Sequence, residues 1–519
     1  MKLYRGFATV GGMTVISRVL GFVRDVLIAA VLGASSITDA FFVAFRVPNM
    51  FRRIFAEGAF NAAFIPLFTK QLHTHGDQAA RDFAAKALAG LTLVLVAFVI
   101  LAEIAMPWLI LLLAPGFAED ADKFRLTVLL GRIALPYLMF MSWVALYTGL
   151  LNVLGRFAVA AFAPSLLNVV LISVLLGLRA TGTGEQTVAG VALAWGVAVS
   201  GLFQVAIVAF AAFRAGLRLK LERPQLNEDM KRLLRLAVPG AIAGGMAQIT
   251  IVISTIIASL QDRVVSWLYY ADRIFQLPLG MVGVAIGVVL LPDLSHKLRA
   301  GDKAAVVESE NRALEFSLLL TVPAAVAMFV TSTPIMRVLF ERGAFTTIDA
   351  RVSAAMLSAL AVGLPAYVLI KALQPSFFAR EDTKTPMIYA GIAMAANVVL
   401  CYVLFVIVGP VGIAIATSLT GWINVVLLAL ELRRRGEFVL DEAFRRALRG
   451  IVLASIAMGG LLWGLTAALH PYFDPQNGIA VQVGALAALI AAGLFCYVAV
   501  GAITGALKPR TFVKDLLGR

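Results

Sequence analysis

Charge is scarce in this chain. Asp, Glu, Lys and Arg make up 14% of its 519 residues, against roughly 25% in an ordinary soluble domain, which excludes a water-soluble enzyme. Cysteine is nearly absent, and Cys401 and Cys496 both lie in apolar runs, so no disulfide framework is expected. His73, His75, His296 and His470 show no metal-site spacing. No GxxxxGK phosphate loop, HExxH helix or Ser/His/Asp set appears, and no paired carboxylates occupy a large loop. These absences speak against catalysis and against any metal or cofactor. The acidic group Glu119, Asp120, Asp122 reads as a short connecting loop.

What remains is apolar: 61% of the residues are hydrophobic and the mean hydropathy is +0.91. Runs such as LTLVLVAFVILAEIAMPWLILLLAP are too long and unbroken for the alternation of a transmembrane barrel, whereas a helical span needs roughly 20 such residues. The expected fold is therefore an all-α polytopic membrane protein. Fourteen helices are predicted, beginning with 8–32 and 37–56 and ending with 447–469 and 479–506, with a cytoplasmic loop over 57–83. Lys2 and Arg5 precede the first run as in a signal peptide, but Arg18, Arg24 and Asp25 interrupt it, so a retained helix is expected. Lys and Arg, in excess at 44 against 30 Asp and Glu, gather at both ends and in the even-numbered loops, which puts both termini in the cytoplasm. The basic segments 214–235 and 433–449 read as topology signals and attraction to anionic headgroups, not as a nucleic-acid surface.

The chain repeats itself. FRVPNMFRRIFAEGAFNAAFIPLF from Phe45 resembles DRIFQLPLGMVGVAIGVVLLPDLS from Asp272. Lys86 then answers Arg312, Pro107 answers Pro334, Leu135-Pro136 answers Leu364-Pro365, and AGVALA at Ala189 answers VGIAIA at Val411. Ordered pairings at nearly constant offset predict an N-lobe over 1–215, a cytoplasmic linker over 216–232, a C-lobe over 233–435, and two further helices within 436–519. Equivalent spans share orientation, the parallel type of repeat that typifies transporters. Gly460 and Gly464 form a GxxxG that reads as a packing notch.

Charges inside spans cost about 2.5–3.5 kcal/mol each at the bilayer centre and usually face a bundle interior or a wet cavity. Here they are mostly arginines: Arg18, Arg24, Arg46, Arg52, Arg53, Arg132 and Arg273, with Lys371. On the first helix Ser17, Gly21 and Arg24 lie close together, beside a stripe of Arg18 and Asp25, which predicts one broad polar face. On the second, Asp39, Arg46 and Arg53 recur every seven residues, with Asn49 on the same side and Arg52 at its border. Pro48 and Pro278 offer bending points. Acids such as Asp25, Asp39, Glu57, Glu103 and Asp272 are too few to neutralise the set, and the planar guanidinium fork suits phosphate and carboxylate. An anionic substrate is the expected partner.

The stretch MTVISRVLGFVRDVLIAAVLGASSITDAFFVAFRVPNMFRRIFAEGAFNAAFIP, with SWLYYADRIFQLPLGMVGVAIGVVLLPDLS and FFAREDTKTP, closely resembles the MurJ (MviN) lipid II flippase family of bacteria, and the likeness runs the whole chain. The resemblance implies the multidrug/oligosaccharidyl-lipid/polysaccharide (MOP) exporter superfamily, two lobes around a central cavity, and a groove for the undecaprenyl tail beside the last two helices. It implies transport of lipid II, undecaprenyl-pyrophosphoryl-MurNAc-pentapeptide-GlcNAc, from the cytoplasmic to the periplasmic leaflet of the inner membrane for peptidoglycan synthesis. Carried over, the family's cavity positions fall on Ser17, Arg18, Arg24, Asp25, Asp39, Asn49, Arg52, Glu57 and Arg273. Arg24, Arg52 and Arg273 are then expected on the pyrophosphate and Arg18 near sugar or peptide carboxylates. Asp25 and Asp39 are expected to orient the arginines. No cofactor is implied; membrane potential or an ion could drive the cycle, and membrane lipids and cell-wall synthesis proteins are the other conceivable partners. Rival readings are another polyprenyl-saccharide flippase or a drug/cation antiporter of the same superfamily, a membrane glycosyltransferase or phosphatase, and an envelope-assembly scaffold. A cation exporter would want an acidic, aromatic cavity.

Overall fold

Long apolar sequences with capping residues at their borders fold as helices, and this chain is built of them. The computed structural model describes residues 2–54, 61–182, 184–219, 222–225, 227–246 and 248–507, and among these no strand occurs. Nine helical stretches among the described residues are long and apolar enough to cross a membrane. The chain divides into two compact units, Met1–Ser266 and Trp267–Arg519.

The first unit holds α1 (Lys2–Leu32), α2 (Ser36–Arg52), α3 (Asn61–Leu113), α4 (Ala121–Ala134), α5 (Tyr137–Val153), α6 (Phe157–Phe162), α7 (Ser165–Ala180), α8 (Gln186–Arg214), α9 (Glu228–Met246) and α10 (Ile249–Ala258). Starts and breaks follow local chemistry. Ser35 caps α2 by accepting from the Thr38 amide, and Asp120 caps α4 by accepting from Asp122 and Lys123. Pro136 and Pro164 stand at the N-caps of α5 and α7, where a missing N–H costs nothing. Within the unit α2 packs on α4, α5 and α7 on α8, α1 on α7, and α3 on α5 and α9.

The cytoplasmic loop expected over 57–83 is helical from Asn61. Gly76, at φ 82°, breaks α3 into two arms in a conformation that disfavours any side chain. The first arm is held by aromatic packing: Phe64 stacks on Phe68 and on Phe83, and Phe64 and Phe68 are buried. Beyond the break, Leu101, Ile104, Trp108 and Leu112 form an exposed apolar stripe at helical spacing, the side a lipid chain would cover.

The second unit holds α11 (Val264–Arg299), which begins three residues before the division, α12 (Lys303–Phe340), α13 (Thr347–Phe378), α14 (Lys384–Val408), α15 (Val411–Arg434), α16 (Glu442–Ala468) and α17 (Ile479–Ile503). Thr346 and Asp349 form a reciprocal capping box at α13. The packing pattern parallels the sequence repeat: α12 lies on α13, and α13 and α14 on α15, as α3 lies on α5, and α5 and α7 on α8. The last two helices pack together and onto α12, where the Tyr497 hydroxyl donates to the Leu319 carbonyl at 2.7 Å.

The notch expected at Gly460 and Gly464 is not one. A Cβ at either would meet nothing within 4 Å, whereas one at Gly459 would lie 2.8 Å from Val326 Cγ1 and one at Gly493 would lie 2.9 Å from Leu462 Cδ2. The GxxxG spacing is right, but helix rotation turns a neighbouring glycine, not that pair, toward a partner.

Candidate functional site

The seven-residue stripe on α2 meets a second stripe with the same period. Arg53 Nη1 donates to Gln248 Oε1 at 3.4 Å, Arg46 donates to the Thr255 hydroxyl, and Ser36 reaches Asp262. Because seven residues make about two helical turns, the polar positions Gln248, Thr255 and Asp262 run antiparallel to Arg53, Arg46 and Asp39. Thr255 spends its own proton on the Ile251 carbonyl at 2.6 Å, so its oxygen is oriented to accept from Arg46.

Asp39 corrects an expectation. Its carboxylate does not orient an arginine side chain: it is fully buried and its ionic partner is Lys123, whose Nζ lies 3.0 Å from Oδ2. It also accepts from the backbone amides of Arg263 at 2.8 Å and Ser266 at 2.9 Å, and from the Ser266 hydroxyl at 2.5 Å. Lys123 reaches Asp262 Oδ1 at 2.6 Å and sits 4.1 Å above the centre of the Phe117 ring. The Asp120 cap holds Lys123 in the first turn of α4, where a cation opposes the helix dipole and needs acids beside it. Burial would raise the Asp262 pKa, but the Lys123 hydrogen bond and charge outweigh it and hold the carboxyl below its ordinary value. Of the loop acids, Asp120 caps α4 and Asp122 pairs with Arg125 in its first turns, while Glu119 ends the turn before them, and no group placed to hold a metal ion occurs among the described residues.

On α1 the polar residues do not form one open face. Arg24 and Asp25 are buried, while Arg18 is exposed and Ser17 half-buried. Arg24 donates Nε at 3.0 Å and Nη2 at 2.7 Å to Asp25 Oδ1, and Nη1 at 2.9 Å to Asn168 Oδ1 on α7. Asn168 Nδ2 in turn donates to the Ser17 carbonyl at 3.0 Å. The same stripe is thus covered at Asp25 and open at Arg18. On α2, Arg52 Nε donates to Asn49 Oδ1 at 3.0 Å, one turn back. Arg132 Nε donates to the Glu103 carbonyl at 3.2 Å. Glu57 lies outside the described residues. In the second unit, Arg273 is half-buried on α11, beside Asp272, which accepts from Gln276.

Sequence reasoning overlooked Asn168, Lys123, Asp262, Ser266 and Thr255. A signal existed for some of them: Gln248, Thr255 and Asp262 repeat the seven-residue period of α2, and Asn168 is an amide inside SLLNVVLIS. Chemically, the first unit offers guanidinium donors held by carboxylate, amide and hydroxyl oxygens, an arrangement that can exchange partners with an incoming phosphate or carboxylate.

Comparison with known proteins agrees with the residues. The family description "Lipid II flippase MurJ" matches residues 28–484. A probable lipid II flippase MurJ of Rhizobium tropici is 44% identical over 506 residues, covering 97% of this chain and 95% of its own. The lipid II flippase MurJ of Burkholderia cenocepacia is 34% identical, covering 89% and 90%. A solved structure of lipid II flippase MurJ in an inward closed conformation aligns with TM-score 0.75 and 25% identity over 98% of this chain and 99% of that one. An inward-facing multidrug resistance MATE family transporter of the MOP superfamily shares the fold, with TM-score 0.66 and 13% identity over 81% and 94%. A family match over most of a chain with many membrane-crossing helices assigns it: the chain belongs to the lipid II flippase MurJ family.

Proposed function

We propose that this chain moves lipid II from the cytoplasmic to the periplasmic leaflet of the bacterial inner membrane by alternating access. The observation that carries the reading is the family match over residues 28–484 of a chain whose α1 and α2 hold Arg18, Arg24, Arg46 and Arg52. The barrier to flipping is headgroup polarity, because the prenyl tail is at home in lipid. Arg24, Arg52 and Arg273 take the pyrophosphate, whose charge matches bidentate guanidinium donors. Arg18, with Ser17 and Asn49, holds sugar hydroxyls or peptide carboxylates, and Asp25 receives Arg24 back when the headgroup leaves. The finer layout in this reading is fourteen spans with both termini cytoplasmic, an N-lobe over 1–215, a C-lobe over 233–435, and a tail-binding pair over 436–519. Membrane potential is a competent drive, since it supplies about 2.3 kcal/mol per charge per 100 mV.

Depleting the protein from growing cells tests the reading. Lipid II should accumulate on the cytoplasmic leaflet and cell-wall synthesis should stop; accumulation on the outer leaflet would overturn it. R24A and R273A should fail to restore growth while reaching the membrane at normal abundance. A scaffold would tolerate both.

A further inference from the structure

We infer that the outer face of α3 and α4 around Glu103 and Arg132 is a contact surface between two copies of this chain in the membrane, with Arg132 of each copy meeting Glu103 of the partner subunit. It does not depend on the identity of the cargo.

Neither residue is among those that hold the headgroup, and neither charge is satisfied within the chain. Arg132 is exposed and Glu103 half-buried. A guanidinium carries five N–H donors, and the one at Nε of Arg132 reaches the Glu103 backbone carbonyl at 3.2 Å. Among the described residues no other hydrogen bond or ion pair reaches that guanidinium, and none reaches the Glu103 carboxylate. The two charges attract each other without forming a contact.

Depth makes this costly. Glu103 lies ten residues before the end of α3 at Leu113, and Arg132 eleven after the start of α4 at Ala121. Each is therefore about 15–17 Å from its helix end at 1.5 Å per residue, well inside a hydrocarbon core about 30 Å thick. Charges at such depth normally face a bundle interior or a wet cavity. These two face outward instead, among Val96, Ile100, Leu111 and Leu129, all exposed. Snorkelling does not relieve them: the Arg132 Nε–H is anchored sideways on α3, and a glutamate side chain is too short to reach the headgroups.

Whatever covers this patch must bring both signs of charge at one depth, which a lipid chain cannot do. A second copy does. Copies inserted the same way up are related by a two-fold axis along the membrane normal, and rotation about that axis keeps every residue at its own depth. The 3.2 Å bond already sets Arg132 level with Glu103, so facing patches bring each guanidinium to the partner's carboxylate. The pairing is reciprocal, as an isologous contact requires, and polar pairs of this kind hold helices together in lipid.

The test is Förster transfer between differently labelled copies of the full-length protein in liposomes, diluted stepwise with lipid, with the unfolding temperature measured on each variant. Wild type should show transfer that falls on dilution along a dimer isotherm. R132Q should weaken association about tenfold or more, the scale of a lost hydrogen bond to a charged group. R132E makes the patch all acidic and E103R makes it all basic, so each alone should stay monomeric. Mixed in equal amounts, the two variants should associate with each other, because each supplies the charges that the other lacks. An ion pair confined to one chain predicts no such rescue, and neither does misfolding. A different membrane helix or a lipid headgroup as the occupant predicts monomeric wild type in these liposomes, and that result would overturn the inference. So would R132Q associating at full strength, or folded R132E and E103R that ignore each other.

Discussion

Lys123 and Asp39 form a buried ion pair, Nζ to Oδ2 3.0 Å, that joins the first turn of α4 to the first turn of α2. Lys123 also holds Asp262, so a single ammonium ties two acids from separate elements. Removing one member of such a pair leaves an uncompensated charge at a fully buried site. K123M should destabilise the first unit by about 3–5 kcal/mol, read as a fall in unfolding temperature in detergent. The double variant K123M/D39N should lose less than K123M alone, since the one carboxylate left without its lysine, Asp262, reaches water. Equal losses in the two would disprove the pairing.

The two seven-residue stripes change depth along their length, and the cost of cutting each rung should change likewise. Thr255 is buried and accepts from Arg46, whereas Gln248 meets an exposed Arg53 at 3.4 Å. T255V keeps the volume and removes the acceptor, and should cost about 1–3 kcal/mol. Q248A should change stability by no more than about 0.5 kcal/mol. Unfolding temperatures of the two variants, measured side by side, decide the order.

Helix rotation makes one glycine indispensable and another replaceable. A Cβ at Gly201 on α8 would come within 2.9 Å of ring carbons of Phe140 and Tyr137 on α5. G201A should therefore cost about 1–3 kcal/mol through overpacking. At Gly460 a Cβ meets nothing within 4 Å, so G460A should be neutral or stabilise by up to about 1 kcal/mol through helix propensity. Expression level and unfolding temperature of both variants give the comparison.

Acid should loosen the turn between α13 and α14. The Thr385 amide and hydroxyl, with Arg435 beside them, hold the Asp382 carboxyl down at about 2 against an ordinary 3.8. A carboxyl depressed in the folded chain stabilises the fold above its ordinary value, and that contribution is lost as pH falls from near 3.8 to about 2. D382N should lower the unfolding temperature at neutral pH and flatten its fall across that acid window. An unchanged acid slope would mean that the Asp382–Arg435 pair contributes nothing.

Much of the architecture is legible in the sequence. Apolar runs separated by charge mark helices, because hydropathy acts locally, whereas the breaks at Pro136 and Pro164 fall inside the single helices expected over 126–154 and 158–178. The recurring neighbours in the two units follow from the internal repeat, since similar sequences bury similar faces. The first arm of α3 was illegible because its polar and charged residues resemble a loop, and only the meeting of Phe64 with Phe68 and Phe83 makes it pack.

Side-chain partnership was the harder matter. Composition and helical period establish that α1 and α2 carry more cations than neighbouring acids can answer, and that lipid rather than water surrounds the chain. Only the tertiary structure decided that Asp39 answers Lys123, that Arg24 is shared between Asp25 and Asn168, and that Arg18 is left exposed. The reason is geometric: helical period places a residue on a face, but which neighbour that face meets depends on rotation and approach of another helix far away in sequence.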